Sequence, residues 1–210
     1  MVRSQSERAY QFIRRELLAA ELRPGERLTE IKWAIKVGVG RAAVREALRR
    51  LSGEGLVQKL RASHVVIEPA PADIHELRQL RDVLETGALR ACGKEVPPQR
   101  LKAIRTALHD YEDLMRKGYL AGAREADLRF HQAIVAAPGN ARLTRLHESA
   151  NLPLFKTYLG TGGQLLDDYE ETRTEHREIF DHLAGSRIDL AIEALQRHLN
   201  RGEITVLNPP

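Results

Sequence analysis

The sequence predicts a mainly α chain in two parts: a helix-and-hairpin unit over residues 1–70 and an antiparallel six-helix bundle over residues 71–210. Three observations predict it. Apolar residues recur at helical spacing through most of the 210 residues. The prolines Pro69 and Pro71 bracket a stiff break between two stretches of different pattern. The charge is also uneven, because residues 1–68 hold 14 Lys/Arg against 8 Asp/Glu, a net +6, while the remainder is net −2.

The first unit reads in order as three helices and a hairpin. In "SQSERAYQFIRRELLAAELRPGERL" the serines suit a helix cap, and Ala9, Phe12, Ile13, Leu17 and Ala20 share a face. "RPGE" at 23–26 stops that helix, since Pro24 cannot continue it and Gly25 suits a turn. Thr29 opens a second helix to about Lys36, with Trp33 and Ala34 as its buried residues, and "VGVG" at 37–40 breaks it. A third helix, "RAAVREALRRLSGEG", buries Val44, Ala47, Leu48 and Leu51 and ends on the Gly53/Gly55 pair. Leu56–Leu60 and His64–Glu68 then flank a short polar tip, which predicts a β-hairpin.

The bundle follows. Leu77, Leu80, Leu84 and Ala88 form one stripe, stopped near Gly93. "VPPQ" starts a helix to roughly Lys117, and two more run over about 120–137 and 140–158, separated by "APGN". "GTGG" at 160–163 is a loop before a long helix to about Ala184. "SRID" at 186–189 has the Ser-x-x-acid form of a capping box for the last helix. Short connections make such helices antiparallel neighbours.

Composition excludes several classes. At 42% hydrophobic and 30% charged residues the chain is an ordinary soluble globular protein. One cysteine, Cys92, permits no intramolecular disulfide and fits a reducing compartment. No charged-then-apolar leader opens the chain and no apolar run nears the ~20 residues of a membrane helix, so a cytoplasmic location is expected, without membrane partners.

A short helix, a glycine turn, a second helix and a hairpin together describe a winged helix-turn-helix, a double-stranded DNA reader. In "GRAAVREALRR" Arg41, Arg45 and Arg49 recur every four positions on the face opposite Val44, Leu48 and Leu51. Arginine suits that face, because its planar fork binds a guanine edge or clamps phosphate. Arg50, Lys59, Arg61 and His64 are placed for backbone contacts, which fix register more than sequence. A solvated arginine face is the bland alternative, and the order of elements weighs against it.

"LRPGERLTE", "VGVGRAAVREALRRLSGEGLV" and the hairpin resemble the winged-helix domain of the GntR superfamily of bacterial transcription regulators. The helical remainder resembles the FCD ligand-binding domain of that superfamily's FadR branch. The resemblance places DNA-contacting arginines at Arg41 and Arg45. It departs from the family at Gly40 and Ala42-Ala43, where hydroxyl residues and proline are common, at Ile31, where some members are basic, and at the wing tip "RASHV", which lacks a glycine. Operator binding is still expected, but a family consensus operator is not assumed.

In "DLRFHQAIV" Asp127 and His131 lie one turn apart on a face with Leu120 and Ile134. Alone, such a pair is more often a hydrogen-bonded core pair than a metal site. His176 shares its face with Tyr169, Ile179, Phe180 and Leu183, and His198 with Ala191, Ala194 and Leu195. Three imidazoles and one carboxylate pointing inward from three helices need partners, and a divalent cation is the most economical common one. The resemblance implies the same set, since many FCD domains hold a metal with one Asp and three His. Zn, Ni and Mn suit it. His64, His75, His109, His147 and His182 default to surface or structural roles.

An open metal position would take a small organic acid effector, with Arg81 or Arg124 as a clamp; the alternative for both arginines is an ion pair. Arg81 is a recurrent arginine by resemblance, and Arg124 lies roughly on the Asp127/His131 face. The expected function is a ligand-responsive transcription regulator, a repressor by resemblance, binding an imperfect palindrome as a homodimer. It is not expected to be an enzyme. The rivals are a regulator for which the ion itself is the signal, and a metal-dependent hydrolase, which leaves the basic unit without a task and has no general base at a recognisable spacing.

Overall fold

A computed structural model describes residues 4–18, 21–67, 70–149 and 163–207. The chain divides into two compact units, Met1–Pro69 and Ala70–Pro210.

In the first unit, helix α1 (Gln5–Leu18) starts at Ser4, whose hydroxyl accepts the Glu7 N–H at 3.1 Å. It buries Ala9, Tyr10, Ile13 and Leu17. Phe12 is only half-buried, edge-on to Trp33, and Ala20 lies outside the described residues. A turn at Gly25 leads to strand β1 (Arg27–Leu28), which sequence reasoning missed because two residues carry no alternation. Thr29 then caps α2 (Glu30–Val37) by accepting the Lys32 N–H. Gly38 ends α2 in the left-handed region at φ 69°, where only glycine sits without strain. Val37, rather than the half-buried Ala34, joins Trp33 in the core.

Helix α3 (Arg41–Gly53) buries the four expected residues, Val44, Ala47, Leu48 and Leu51. Strands β2 (Val57–Leu60) and β3 (Ser63–Val66) pair antiparallel around Arg61 and Ala62, and β1 pairs on the other side of β3, giving the order β1-β3-β2. Along β3 the inward residues are His64 and Val66. Arg50 ties α1 to α3, since its guanidinium lies 3.5 Å from the Tyr10 ring centroid and bonds Glu7 at 2.9 Å and Glu54 at 3.3 Å.

In the second unit, α4 (Pro71–Arg81) runs into a π-helical turn (Asp82–Thr86) and then α5 (Gly87–Ala91). The π turn takes an extra residue and rotates the buried face. Leu80 is therefore 37% exposed and Leu77 half-buried, against the expected stripe, while Leu84, Glu85, Thr86, Ala88 and Leu89 turn inward. Helix α6 (Pro98–Arg116) opens with Pro98 in its first turn, where its missing N–H costs nothing. Helix α7 (Leu120–Ala136) follows, then α8 (Ala141–Ser149), capped by Asn140. The continuation of α8 to about 158, and residues 160–162 of the "GTGG" loop, lie outside the described residues.

Helices α9 (Gly163–Ala184) and α10 (Ile188–Leu207) complete the bundle. Ser186 does not cap α10 as its sequence pattern suggested. It takes φ 55° to close α9, with its N–H on the Leu183 carbonyl and the Arg187 N–H on that of His182. This left-handed closure leaves Arg187, whose carbonyl accepts the Ala191 N–H, as the residue that starts α10.

The result is mainly α, with six helical rods in the second unit among the described residues, counting α4 through α5 as one. Among the described residues no helix is long and apolar enough to cross a membrane. One core cluster holds Leu89, Ile104, Leu108, Phe130, Ile134, Ile179 and Leu195; a second holds Tyr111, Met115, Ala123, Ala126 and Tyr169.

Tyr10 donates its hydroxyl to Glu54 at 3.0 Å. Burial and the Glu54 carboxylate push its phenol up to about 12. The fold thus favours the neutral phenol: the stability it contributes is complete below the ordinary phenol range near pH 10 and is lost as pH rises towards 12. Tyr10→Phe is expected to flatten the fall in urea-unfolding stability between those pH values by on the order of 2 kcal/mol. A pH dependence identical to that of the wild type would contradict this.

Candidate metal centre and nucleic-acid face

Four side chains converge in the helical unit. Asp127 and His131 come from α7, His176 from α9 and His198 from α10, and one ligand atom of each lies within 4.8 Å of all the others. Asp127 Oδ1 is 3.3 Å from His176 Nε2 and 3.8 Å from His131 Nε2. His131 Nε2 and His198 Nε2 stand 3.1 Å apart. The three imidazoles are buried; His176 stacks on Phe130 at 4.1 Å between centroids and meets the edge of Tyr111.

Carboxylates set the tautomers. Glu85 Oε2 lies 2.6 Å from His131 Nδ1, and Glu175 Oε2 lies 2.7 Å from His198 Nδ1. A carboxylate can only accept, so each Nδ1 carries a proton, and in the neutral ring each Nε2 presents a lone pair. Two such lone pairs facing at 3.1 Å repel unless a proton or a metal ion is shared between them. The donor set therefore fits a divalent ion, which bonds imidazole nitrogen and carboxylate oxygen at about 2.0–2.2 Å. It would be held by Asp127, His131, His176 and His198.

The groups behind the imidazoles were not foreseen. Glu85 is fully buried on the π turn. Burial alone would raise its carboxyl, but Arg81, with Nε at 2.7 Å, and His131 hold it well below the ordinary range. His147 of α8 is also buried, with Nε2 3.5 Å from Glu85 Oε1, so it belongs to this network rather than to the surface. Burial likewise opposes ionisation of Glu175, yet hydrogen bonds from His198 and Arg201 hold its carboxyl down to about 2. Arg201 also bonds Thr172 and Asp168, pinning α10 to α9.

The two arginines expected to meet an effector both lie in this surround. Arg81 is ion-paired with Glu85. Arg124 is buried on α7 and donates Nε to the Tyr169 hydroxyl.

In the first unit, Arg41, Arg45 and Arg49 are exposed along α3, and Lys59 and Arg61 are exposed on the hairpin. Arg45 forms a two-pronged pair with Glu30, and Arg41 Nη2 lies 3.8 Å from the same carboxylate. Arg49 pairs with Glu46, and Arg50 is engaged with Tyr10, Glu7 and Glu54. His64 departs from expectation: it is buried inside the sheet opposite Leu28 and Lys59, because it falls with Val66 on the inward face of β3. Burial lowers its pKa and favours the neutral ring, which is unsuited to a phosphate contact.

Glu85→Gln preserves the shape of the side chain but removes the charge behind His131. Zn²⁺ affinity, measured by competition with a chromophoric chelator, is expected to fall about 10–100-fold. An unchanged affinity would remove Glu85 from the centre.

Residues 5–67 match the family of bacterial regulatory proteins named gntR, and residues 76–201 match the FCD domain. A helix-turn-helix transcriptional regulator from an unstable DNA locus of Streptomyces ambofaciens is 28% identical, aligned over 90% of this chain and 80% of its own length. The transcriptional repressor NanR of Cronobacter sakazakii is 26% identical over 89% of this chain and 77% of its own. The crystal structure of a GntR transcriptional regulator from Rhodococcus sp. RHA1, 25% identical, superposes with a TM-score of 0.82 over 98% of both chains. At 18% identity and a TM-score of 0.80, McbR/YncC of E. coli shares the fold. Such proteins are transcriptional regulators rather than enzymes, which removes the hydrolase reading. The basic helix-turn-helix unit and the helical unit with its clustered histidines thus place the chain in the GntR family of bacterial transcription regulators, among those that carry a C-terminal FCD domain.

Proposed function

We propose that the protein is a repressor that binds its operator as a homodimer and answers a small organic acid at a divalent metal centre. The observation that supports sensing is the convergence of Asp127, His131, His176 and His198 with Glu85 and Glu175 behind two of the imidazoles. A bound Zn, Ni or Mn ion would supply an open position for a carboxylate. Arg124, one turn before Asp127 on the same helix, is the candidate clamp for that acid; Arg81 reaches it only by exchanging its Glu85 partner.

For DNA, α3 enters the major groove, with Arg41 and Arg45 aimed at base edges and Arg49 beside them. Lys59 and Arg61 meet phosphates. Two copies place two such helices roughly 34 Å apart on an imperfect palindrome. The effector changes operator affinity only as far as it binds two states of the dimer unequally.

Arg45→Ala is expected to weaken operator binding about 5–100-fold in a gel-shift assay; unchanged affinity would displace α3 as the reader. His176→Ala is expected to purify with less than a tenth of the wild-type metal by elemental analysis. A thermal-shift screen of carboxylic acids on the metal-loaded protein should find ligands that stabilise by about 2.7 kcal/mol at a hundred times their Kd. No response to any acid, with operator affinity graded by free metal ion, would make the ion the signal.

A further inference from the structure

The recognition-face arginines are held by carboxylates of their own chain, and one arrangement is directional. Glu30 is the first residue of α2, where the helix N-terminus favours a negative charge. Its carboxylate takes Arg45 Nε at 2.7 Å and Arg45 Nη2 at 2.8 Å. That engages the side-on edge of the guanidinium. The end-on edge, Nη1 with the second hydrogen of Nη2, has no protein partner among the described residues. It carries the two parallel donors that match guanine O6 and N7.

We propose that Glu30 is a specificity-determining positioning residue, which grips Arg45 by its side-on edge and leaves the end-on edge to read one guanine in the major groove. The proposal rests on the reading of α3 as the recognition helix. An exposed Arg–Glu pair is worth little to stability, and its consequence here is orientation. The grip fixes side-chain torsions of Arg45 before DNA arrives, so less freedom is lost on docking. The Glu30 charge also opposes phosphate at the same place, which turns Arg45 from a general phosphate clamp into a base reader. Arg41, with Nη2 at 3.8 Å from Glu30 Oε2, feels that charge without sharing the two-pronged grip.

The test uses the full chain. Wild-type protein first enriches a duplex from a randomised library. The dissociation constants of wild type, Glu30→Gln, Glu30→Ala and Arg45→Ala are then measured on that duplex and on a scrambled one. Each guanine of the enriched duplex is also replaced in turn by deazaguanine, which lacks the N7 acceptor. Wild type should show one guanine whose replacement weakens binding, and Arg45→Ala should lose that penalty. Glu30→Ala should bind the scrambled duplex more tightly, lower the enriched-to-scrambled ratio about tenfold and shrink the same penalty; Glu30→Gln should fall between. If Arg45→Ala erases the penalty but both Glu30 variants keep it and the ratio, the role of Glu30 is overturned while α3 remains the reader. If both Glu30 variants weaken the two duplexes equally, Glu30 is merely structural. If wild type enriches no sequence, or Arg45→Ala leaves the guanine penalty intact, the reading of α3 fails and the proposal with it.

Discussion

A carboxylate with no exposure to solvent must be met by charge or hydrogen bonds, and much of the helical unit is arranged around that demand at Glu85. Arg81 reaches it from α4, His131 from α7 and His147 from α8. Meeting Glu85 fixes the proton of His131 on Nδ1 and aims Nε2 at the Asp127 and His198 donors. Glu175 does the same for His198 and is itself anchored by Arg201. Buried ion pairs of this kind add little net stability compared with apolar packing. What they supply is a single orientation for each imidazole.

The π turn is the structural cost of that arrangement. With an unbroken α-helix the Leu77–Leu80–Leu84–Ala88 stripe would face the core, but the extra residue swings Glu85 and Thr86 inward and leaves Leu80 and the neighbouring Val83 exposed. Apolar cover is given up on one rod, and a charged group stands behind His131. The DNA-reading unit handles charge in the opposite way. Its arginines stay at the surface and are paired with carboxylates of the same chain, Glu30 and Glu46 on the α3 face and Glu7 and Glu54 behind Arg50. There the pairs on the α3 face stay exposed instead of being enclosed in a core.

What could be read from the sequence was local or lay on an apolar face. Thr29 as a cap and Val44, Ala47, Leu48 and Leu51 as core follow from helix periodicity, which tertiary contacts do not alter. Asp127, His131, His176 and His198 were conspicuous because polar side chains interrupt apolar stripes, and the structure brings those four together. The groups behind them were hidden for separate reasons. Glu85 depends on a π turn that no residue pattern announces, although a glutamate four residues after Arg81 within an apolar stripe was a usable signal. Glu175 sits next to His176 on α9 yet points to α10, about a quarter-turn away, so adjacency concealed its link to His198. His147 had only a default surface or structural role in the sequence, and its place beside Glu85 depends on tertiary packing. Strand β1 is set by a partner distant in the chain, and the left-handed Ser186 by the bonds that close α9 on Leu183 and His182.

The proposed metal centre has three imidazoles and one carboxylate, oriented in advance, around one divalent ion. X-ray absorption at the zinc edge of the ion-loaded protein reads that shell. It should show light nitrogen and oxygen atoms at about 2.0–2.1 Å with the outer-shell scattering of three imidazoles. A sulfur neighbour at about 2.3 Å, which only Cys92 or a methionine could provide, or a shell without imidazole scattering, would contradict it.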